Sequence, residues 1–157
     1  MGKGNAGLLA EMLAARGELL QSLQGLREDK AWTRPEPNEW STAEVLLHVA
    51  DVDRVQVRRF GDILEGEADL TKYDIAEWEG ERKEAQMDGL AGVLLRLCAA
   101  HQGVVEAVST LAEADLERSA RHAKYGPMTG RQLAEMLMRH DRDHAQQIAK
   151  TRAAVEA

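Results

Sequence analysis

The chain has 157 residues, of which 44% are hydrophobic and 30% are charged, and its formal net charge at pH 7 is −7. This length fits a single domain over residues 1–157 and suffices to bury a continuous core. The acidic balance argues against nucleic-acid binding, and no uninterrupted apolar run approaches the ~20 residues that span a bilayer. Residues 1–7 lack the apolar core of a secretory signal, and the single Cys98 cannot form an internal disulfide. We therefore expect a cytoplasmic protein that binds neither nucleic acid nor membrane.

The first predicted helix covers residues 7–26, where apolar side chains recur at helical spacing. Its expected buried stripe is leucine-rich and consists of Leu8, Leu9, Met12, Leu13, Leu19, Leu20 and Leu23. Residues 28–40 contain Pro35 and Pro37, and each proline disfavours helix at the residue before it. This segment is predicted to be a loop that packs through Trp32 and Trp40.

The second helix is predicted to begin at Ser41. Ser41 and Glu44 have the spacing of a capping box, and Trp40 and Val45 flank it as a hydrophobic staple. The face of this helix that carries Val45 also carries His48. The acidic residues 65–83 then form either a connection that crosses the bundle, covers a pocket or joins a dimer, or a solvated surface connection with a short helical turn.

The third predicted helix covers residues 84–111. Its apolar stripe consists of Leu90, Leu94, Leu97, Val104, Val108 and Leu111. His101 lies on the same stripe without a second histidine at metal-ligand spacing, so we interpret it as a packing residue. Cys98 is interpreted as a small core or boundary residue and not as a nucleophile.

The fourth helix follows a connection over residues 112–128. Thr129 and Gln132 have capping-box spacing, with Met128 and Leu133 as staple partners. No run alternates with period two strongly enough to require a strand, and four amphipathic helices bury their stripes by packing together. The predicted fold is all-α, a four-helix bundle.

Three histidines form a candidate metal site. His140 and His144 are four residues apart on the apolar face of the fourth helix, and His48 lies on the apolar face of the second. A shared cation would remove the cost of burying three imidazoles, about 1 to 3 kcal/mol for each unsatisfied group. Three protein ligands leave one position open, as in catalytic zinc sites. The alternative is three core histidines that each satisfy their hydrogen bonds separately.

Neighbouring polar residues have two interpretations each. Four polar residues could either orient the imidazoles by hydrogen bonds or lie as ordinary polar residues on the helix surface, namely Asp51, Asp141, Asp143 and Gln147. A local basic cluster could either contact an anionic ligand or form a solvated helix face, and it consists of Arg54, Arg58 and Arg59.

Two stretches resemble the DinB/YfiT-like superfamily of bundle-forming metalloenzymes. Residues 39–51, Glu-Trp-Ser-Thr-Ala-Glu-Val-Leu-Leu-His-Val-Ala-Asp, are similar to the opening of that family's second helix. Residues 126–148 are similar to its last helix. The resemblance implies that His48, His140 and His144 are metal ligands. It also implies that helices two and three run parallel with residues 65–83 as the crossover, and that the protein forms a homodimer.

The same resemblance implies a function. Characterised relatives include transferases that use low-molecular-weight thiols such as bacillithiol or mycothiol. We therefore expect a divalent-metal-dependent enzyme, with zinc or nickel, in which metal-bound thiolate attacks a small electrophilic substrate. A hydrolase or isomerase using metal-bound water is a close variant. The competing hypotheses are a non-catalytic metal- or ligand-binding stress protein that acts through a partner or dimer interface, and a helical protein without metal.

Overall fold

The computed structural model describes residues 5–66, 83–84, 86–122 and 124–157. In chain order, its elements are helices α1 (Asn5–Gln21), α2 (Glu28–Ala31), α3 (Thr42–Glu65), α4 (Gly89–Ser109) and α5 (Glu113–Leu116), strands β1 (Ser119–His122) and β2 (Gly126–Thr129), and helix α6 (Gly130–Val155). The long helices α1, α3, α4 and α6 pack together, which confirms the predicted all-α four-helix bundle.

Helices α3 and α4 run parallel. Asp51 on α3 accepts a hydrogen bond from Arg96 on α4. Six residues further along α3, Val57 packs so closely against Gly103 that a Cβ on the glycine would lie 3.1 Å from it. The contacts therefore advance in the same direction on both helices. The end of α3 and the start of α4 consequently lie at opposite ends of the bundle, as a crossover connection requires.

Helices α1 and α6 form a second parallel pair. Arg16 binds Asp141, and further along both helices Arg152 donates to the carbonyl oxygen of Ser22. This pair is antiparallel to the first, because Asn5 at the start of α1 donates to the carbonyl oxygen of Val108 near the end of α4. Most of the predicted crossover, residues 65–83, lies outside the described residues.

Both predicted capping boxes are present. The Ser41 hydroxyl accepts a hydrogen bond from the amide of Glu44 at 3.2 Å, and the Glu44 carboxylate accepts one from the Ser41 amide at 2.8 Å. Thr129 and Gln132 exchange the same pair of bonds at 3.1 and 2.9 Å. These bonds satisfy amides that have no partner within the first helical turn, which is why α3 and α6 begin where the sequence predicts.

Two connections contain more regular structure than predicted. The segment 28–40 begins with the short helix α2. This helix ends before the residues at which Pro35 and Pro37 disfavour helix. The segment 112–128 contains α5 and an antiparallel hairpin in which Ser119 lies opposite Thr129. Strands of four residues leave too short an alternation to detect, and β1 lacks the β-branched and aromatic residues that favour strands.

Three burial predictions are wrong. Leu13 and Leu20 on α1 are 52% and 43% exposed, because a buried arginine, Arg16, occupies the inward stripe beside Leu19. Cys98 is exposed as well, since its neighbour Leu97 takes the core position on α4. Helix α1 also ends at Gln21, before the predicted limit at residue 26.

Helix α4 has the length and hydropathy of a membrane-spanning helix. Among the described residues it is the helix that could cross a bilayer by length and composition, with 21 residues and a mean hydropathy of 1.2 over its most apolar window. One such helix is weak evidence, because a bundle's core helices meet the same criterion. In the structure α4 packs along α3.

Candidate metal centre

The three predicted histidines converge at one point of the bundle. His48 projects from α3, and His140 and His144 project from successive turns of α6. The Nε2 atom of His140 lies 3.3 Å from the Nε2 atom of His48 and 2.9 Å from that of His144. Each side chain is half-buried. The antiparallel packing of α3 against α6 therefore brings together residues that are 92 positions apart in the chain.

These nitrogen positions fit a single divalent cation. Zinc bonds to histidine nitrogen at about 2.0–2.1 Å, and a tetrahedral arrangement then separates the nitrogens by about 3.3–3.4 Å. The separation between His48 and His140 has this value, and that between His140 and His144 needs to increase by a few tenths of an ångström. Three nitrogen donors also leave a coordination position for a water or a substrate atom.

The protonation state of His140 and the hydrogen bond of His144 suit metal binding. The pKa of His140 is lowered to about 3, chiefly by burial, with contributions from the neighbouring His144, His48 and Arg16. His140 is therefore neutral at pH 7, with a lone pair available for a cation. The Nδ1 atom of His144 lies 2.7 Å from the side-chain oxygen of Gln147. Because that oxygen only accepts, it selects the tautomer with Nδ1–H and leaves the Nε2 lone pair directed at the centre.

Of the four residues considered for orienting the imidazoles, Gln147 contacts one directly. Asp141 instead binds Arg16 with both carboxylate oxygens, and Asp51 accepts a hydrogen bond from Arg96. Asp143 is exposed. The geometry therefore supports the orienting role for Gln147, whereas Asp141 and Asp51 join helices.

A buried ionic cluster lies beside the histidines. Arg16 on α1 binds Asp53 on α3 and Asp141 on α6, each at 2.9 Å, and all three side chains are almost fully buried. Burial lowers the pKa of Arg16, but the two carboxylates more than compensate and hold it above its usual value. Burial raises the pKa of Asp53 to about 7 against the opposing effect of Arg16. Arg16 was not predicted from the sequence as part of the site, although its position on the stripe of Leu8, Met12 and Leu19 could have revealed it.

His101 lies away from the three converging histidines and next to the ionic cluster. It lines a small cavity together with Arg16, Asp53 and Asp141. Its Nε2 atom is buried and has no hydrogen-bond partner among the described residues. Burial lowers the pKa of His101 to about 4, and the charge of Arg16 contributes in the same direction. Its packed position agrees with the prediction from the sequence that His101 is a packing residue.

Cavities open on two sides of the histidines. One of about 530 Å³ is lined by Trp40 and Gln147, and the Trp40 ring lies 5.1 Å from the His48 ring. A smaller one of about 130 Å³ reaches His140 and is lined mainly by apolar side chains, with Tyr125 at its edge. The smaller cavity therefore reaches a candidate ligand directly, whereas the larger one is lined by Trp40 and Gln147, which contact His48 and His144.

A third cavity, about 590 Å³, lies between α3 and α4 and is lined by none of the three histidines. Arg54 and Arg58 line it, whereas Arg59 is buried and its Nη1 atom lies 3.0 Å from His122 Nε2. The three arginines therefore do not form the single basic cluster considered from the sequence. We locate the candidate site at the histidines because metal-ligating atoms converge there.

Comparison with known families identifies the chain. A model of the DinB superfamily matches residues 11–148, which include all three histidines. The chain belongs to the DinB superfamily. This result confirms the family that the two sequence stretches indicate.

Individual relatives match this DinB chain over most of their length. YuaE of Bacillus subtilis, described as an uncharacterized protein, is 25% identical over 154 residues, which cover 90% of this chain and 95% of YuaE. The structure of YfiT from Bacillus subtilis is 19% identical and superposes with a TM-score of 0.75, covering 95% of this chain and 86% of that one. YfiT is described as a probable metal-dependent hydrolase with an unusual four-helix bundle topology.

A further structure, the DinB-like protein YjoA from Bacillus subtilis, is 16% identical with a TM-score of 0.65. The match covers 96% of this chain and 90% of YjoA. At these identities the two structures establish a shared fold. The assignment of metal and reaction to this DinB chain depends on its own residues.

Proposed function

We propose that this chain is a divalent-metal-dependent enzyme that transfers a low-molecular-weight thiol to small electrophiles. The observation that carries the proposal is the convergence of the Nε2 atoms of His48, His140 and His144. A bound zinc or nickel ion would lower the pKa of a thiol at its open position, so that thiolate forms near neutral pH. The description of YfiT as a probable metal-dependent hydrolase supports metal dependence in this fold.

The chain's own residues supply binding and orientation. Gln147 holds the His144 tautomer that directs a lone pair at the centre. The two flanking cavities have room for a thiol and for an electrophile on different sides of the histidines. In the transfer, sulfur bonds to the electrophilic carbon, the bond to the leaving group breaks with its electron pair, and the thiol proton passes to solvent.

A hydrolase that activates water is the second candidate, because YfiT is described as a hydrolase. The same three nitrogens would lower the pKa of a bound water, and attack on an ester or amide would then consume water without a thiol. Hydrolysis of small esters at a rate independent of added thiol favours this candidate. Product formation that requires a thiol favours the transferase.

The first experiment measures metal content by mass spectrometry on tag-free protein. We expect about one divalent ion per chain in the unchanged protein and its loss in His48→Ala, His140→Ala and His144→Ala. His101→Ala is the matched control, because His101 is also half-buried but lies outside the cluster, and it should retain the ion. Absence of metal after reconstitution would contradict the proposal.

A second experiment tests turnover with the reconstituted protein, small thiols and a chromogenic electrophile. Thiol-dependent consumption of the electrophile that disappears in His140→Ala supports the transferase. A metal-loaded protein that neither binds thiols nor consumes electrophiles would instead be a non-catalytic binding protein, which was the alternative from the sequence.

Two further properties belong to this proposal. We propose a cytoplasmic location, as the sequence predicts, and a homodimer, as the family resemblance implies. Sedimentation equilibrium across a range of concentrations measures the oligomeric state, and cell fractionation measures the location. A purely monomeric protein, or one recovered outside the cytoplasm, would overturn the corresponding statement.

A further inference from the structure

The cavity next to Trp40 has the size of a small-molecule site. It has a volume of about 530 Å³, within the usual range for ligand pockets. Its walls come from the segment before α3 and from the second half of α6, and they include Asn38, Glu39, Trp40, Gln147, Lys150 and Thr151. We refer to it as the Trp40–Lys150 cavity.

Two wall residues connect this cavity to the histidines. The Trp40 ring lies 5.1 Å from the ring of His48, and the Gln147 side chain is 2.7 Å from Nδ1 of His144. A molecule held in the cavity therefore has the candidate metal centre as its neighbour, separated by the width of one side chain. This proximity makes the Trp40–Lys150 cavity a candidate for binding a reactant.

The cavity presents one negative and one positive side chain. Glu39 lies on the wall before α3, and Lys150 lies on the α6 wall. Both are exposed, and among the described residues neither takes part in a salt bridge or a side-chain hydrogen bond. The two charges are therefore available to a ligand without breaking an existing ion pair.

Opposite charges on two walls favour a ligand that carries both signs. A carboxylate can accept charge-assisted hydrogen bonds from Lys150, and an ammonium group can donate them to Glu39. The Trp40 face adds a surface for the carbon chain or for the ammonium group. A ligand with only a negative charge would be attracted by Lys150 and repelled by Glu39. A ligand with only a positive charge would be attracted by Glu39 and repelled by Lys150.

We propose that the Trp40–Lys150 cavity binds a zwitterion with a free amino group and a carboxylate. This inference rests on the proposed function, in which the bound molecule is the thiol co-substrate. The thiol is then amino-acid-like, with Glu39 and Lys150 holding its charged groups and its sulfur next to Trp40 and Gln147. Thiols with a blocked amine or without a carboxylate are poor ligands.

The test compares three thiols by calorimetry on the metal-loaded protein. Cysteine has both charged groups, N-acetylcysteine lacks the ammonium group, and cysteamine lacks the carboxylate. We expect cysteine to bind about tenfold more tightly than either of the others, the effect of one exposed charge-assisted contact. Equal affinities for the three thiols would overturn the inference, even if all of them are turned over.

Single variants test the contribution of each charged side chain to the ligand preference. Glu39→Gln should abolish the preference for cysteine over N-acetylcysteine, and Lys150→Met should abolish the preference over cysteamine. Glu36→Gln and Lys124→Met remove the same charges from exposed positions outside the cavity and should leave both preferences unchanged. Preferences that survive in the Glu39 and Lys150 variants would overturn the inference.

A ligand without a thiol separates this inference from the proposed function. S-Methylcysteine retains both charged groups and cannot form a thiolate. If no thiol is turned over but S-methylcysteine binds and loses affinity in Glu39→Gln and Lys150→Met, the proposed function fails and the zwitterion site stands. If S-methylcysteine does not bind, the zwitterion site fails whether or not thiols react.

Discussion

At the scale of single residues, the site depends on the direction of lone pairs as much as on the presence of histidines. His140 is kept neutral chiefly by burial. His144 is held in one tautomer by Gln147, whose side-chain oxygen accepts from Nδ1. A polar partner of this kind raises metal affinity because it fixes the ring before the ion arrives.

Replacing Gln147 should therefore weaken metal binding without removing a ligand. We expect Gln147→Ala to lower zinc affinity by about 10- to 100-fold, the usual effect of losing a residue that orients a ligand. Competition with a chromogenic chelator measures the dissociation constant. Gln146→Ala is the matched control, because Gln146 is exposed and adjacent. An unchanged affinity in Gln147→Ala would show that packing alone orients His144.

At the scale of elements, the helices that carry the histidines are defined by local hydrogen bonds at their starts. Ser41 and Glu44 close the first turn of α3, and His48 follows two turns later. Thr129 and Gln132 do the same for α6. The position of each histidine on its helix face is therefore determined by a cap several residues away.

Removing one cap should destabilise the fold by a small and measurable amount. We expect Ser41→Ala to lower the free energy of unfolding by about 1 kcal/mol, because the Glu44 amide loses its acceptor. Urea denaturation measures the change, with an unaltered dependence on urea concentration. Thr33→Ala serves as a control, since its hydroxyl is exposed and bonds within the connection before α3. A Ser41 variant as stable as the unchanged protein would contradict this account of the cap.

At the scale of the whole molecule, the Arg16 cluster joins three of the four long helices. Its residues lie between two apolar clusters, one containing Phe60 and Leu133 and the other containing Leu46 and Ile148. The ionic cluster thus crosses the middle of the bundle at the level of the histidines. Charges buried in this way define which helix faces meet, because any other packing would leave them unpaired.

Truncating Arg16 should accordingly be far more damaging than breaking a surface ion pair. We expect Arg16→Met to cost about 3–5 kcal/mol, because Asp53 and Asp141 would remain buried together without a cation. Arg142→Met is the matched control. Arg142 pairs with Glu18 across the same two helices, α1 and α6, but both side chains are about half exposed, and such pairs contribute about 0–1 kcal/mol. Similar losses in the two variants, measured by denaturant unfolding, would contradict this role of the cluster.

Prediction from sequence succeeded where the determining interactions are local. The starts of α3 and α6 follow from residues three positions apart, and the shared faces follow from helical periodicity. The predicted burial of Leu13 and Leu20 was wrong because Arg16 occupies the inward position on α1. A hydropathy pattern treats arginine as a surface residue and does not predict such a position. It also missed the hairpin after α5, whose strands are too short to show a period.

The sequence by itself determined the family, the four long helices and the three histidines, because caps, helix faces and the two resembling stretches are properties of neighbouring residues. Only the tertiary structure decided that His48 meets His140 across 92 positions, and that Asp141 binds Arg16 while Gln147 orients His144. Only the structure also placed Glu39 and Lys150 on one cavity. The physical reason is that these contacts depend on which helices run parallel and how far each is rotated about its axis, and packing between distant segments sets both.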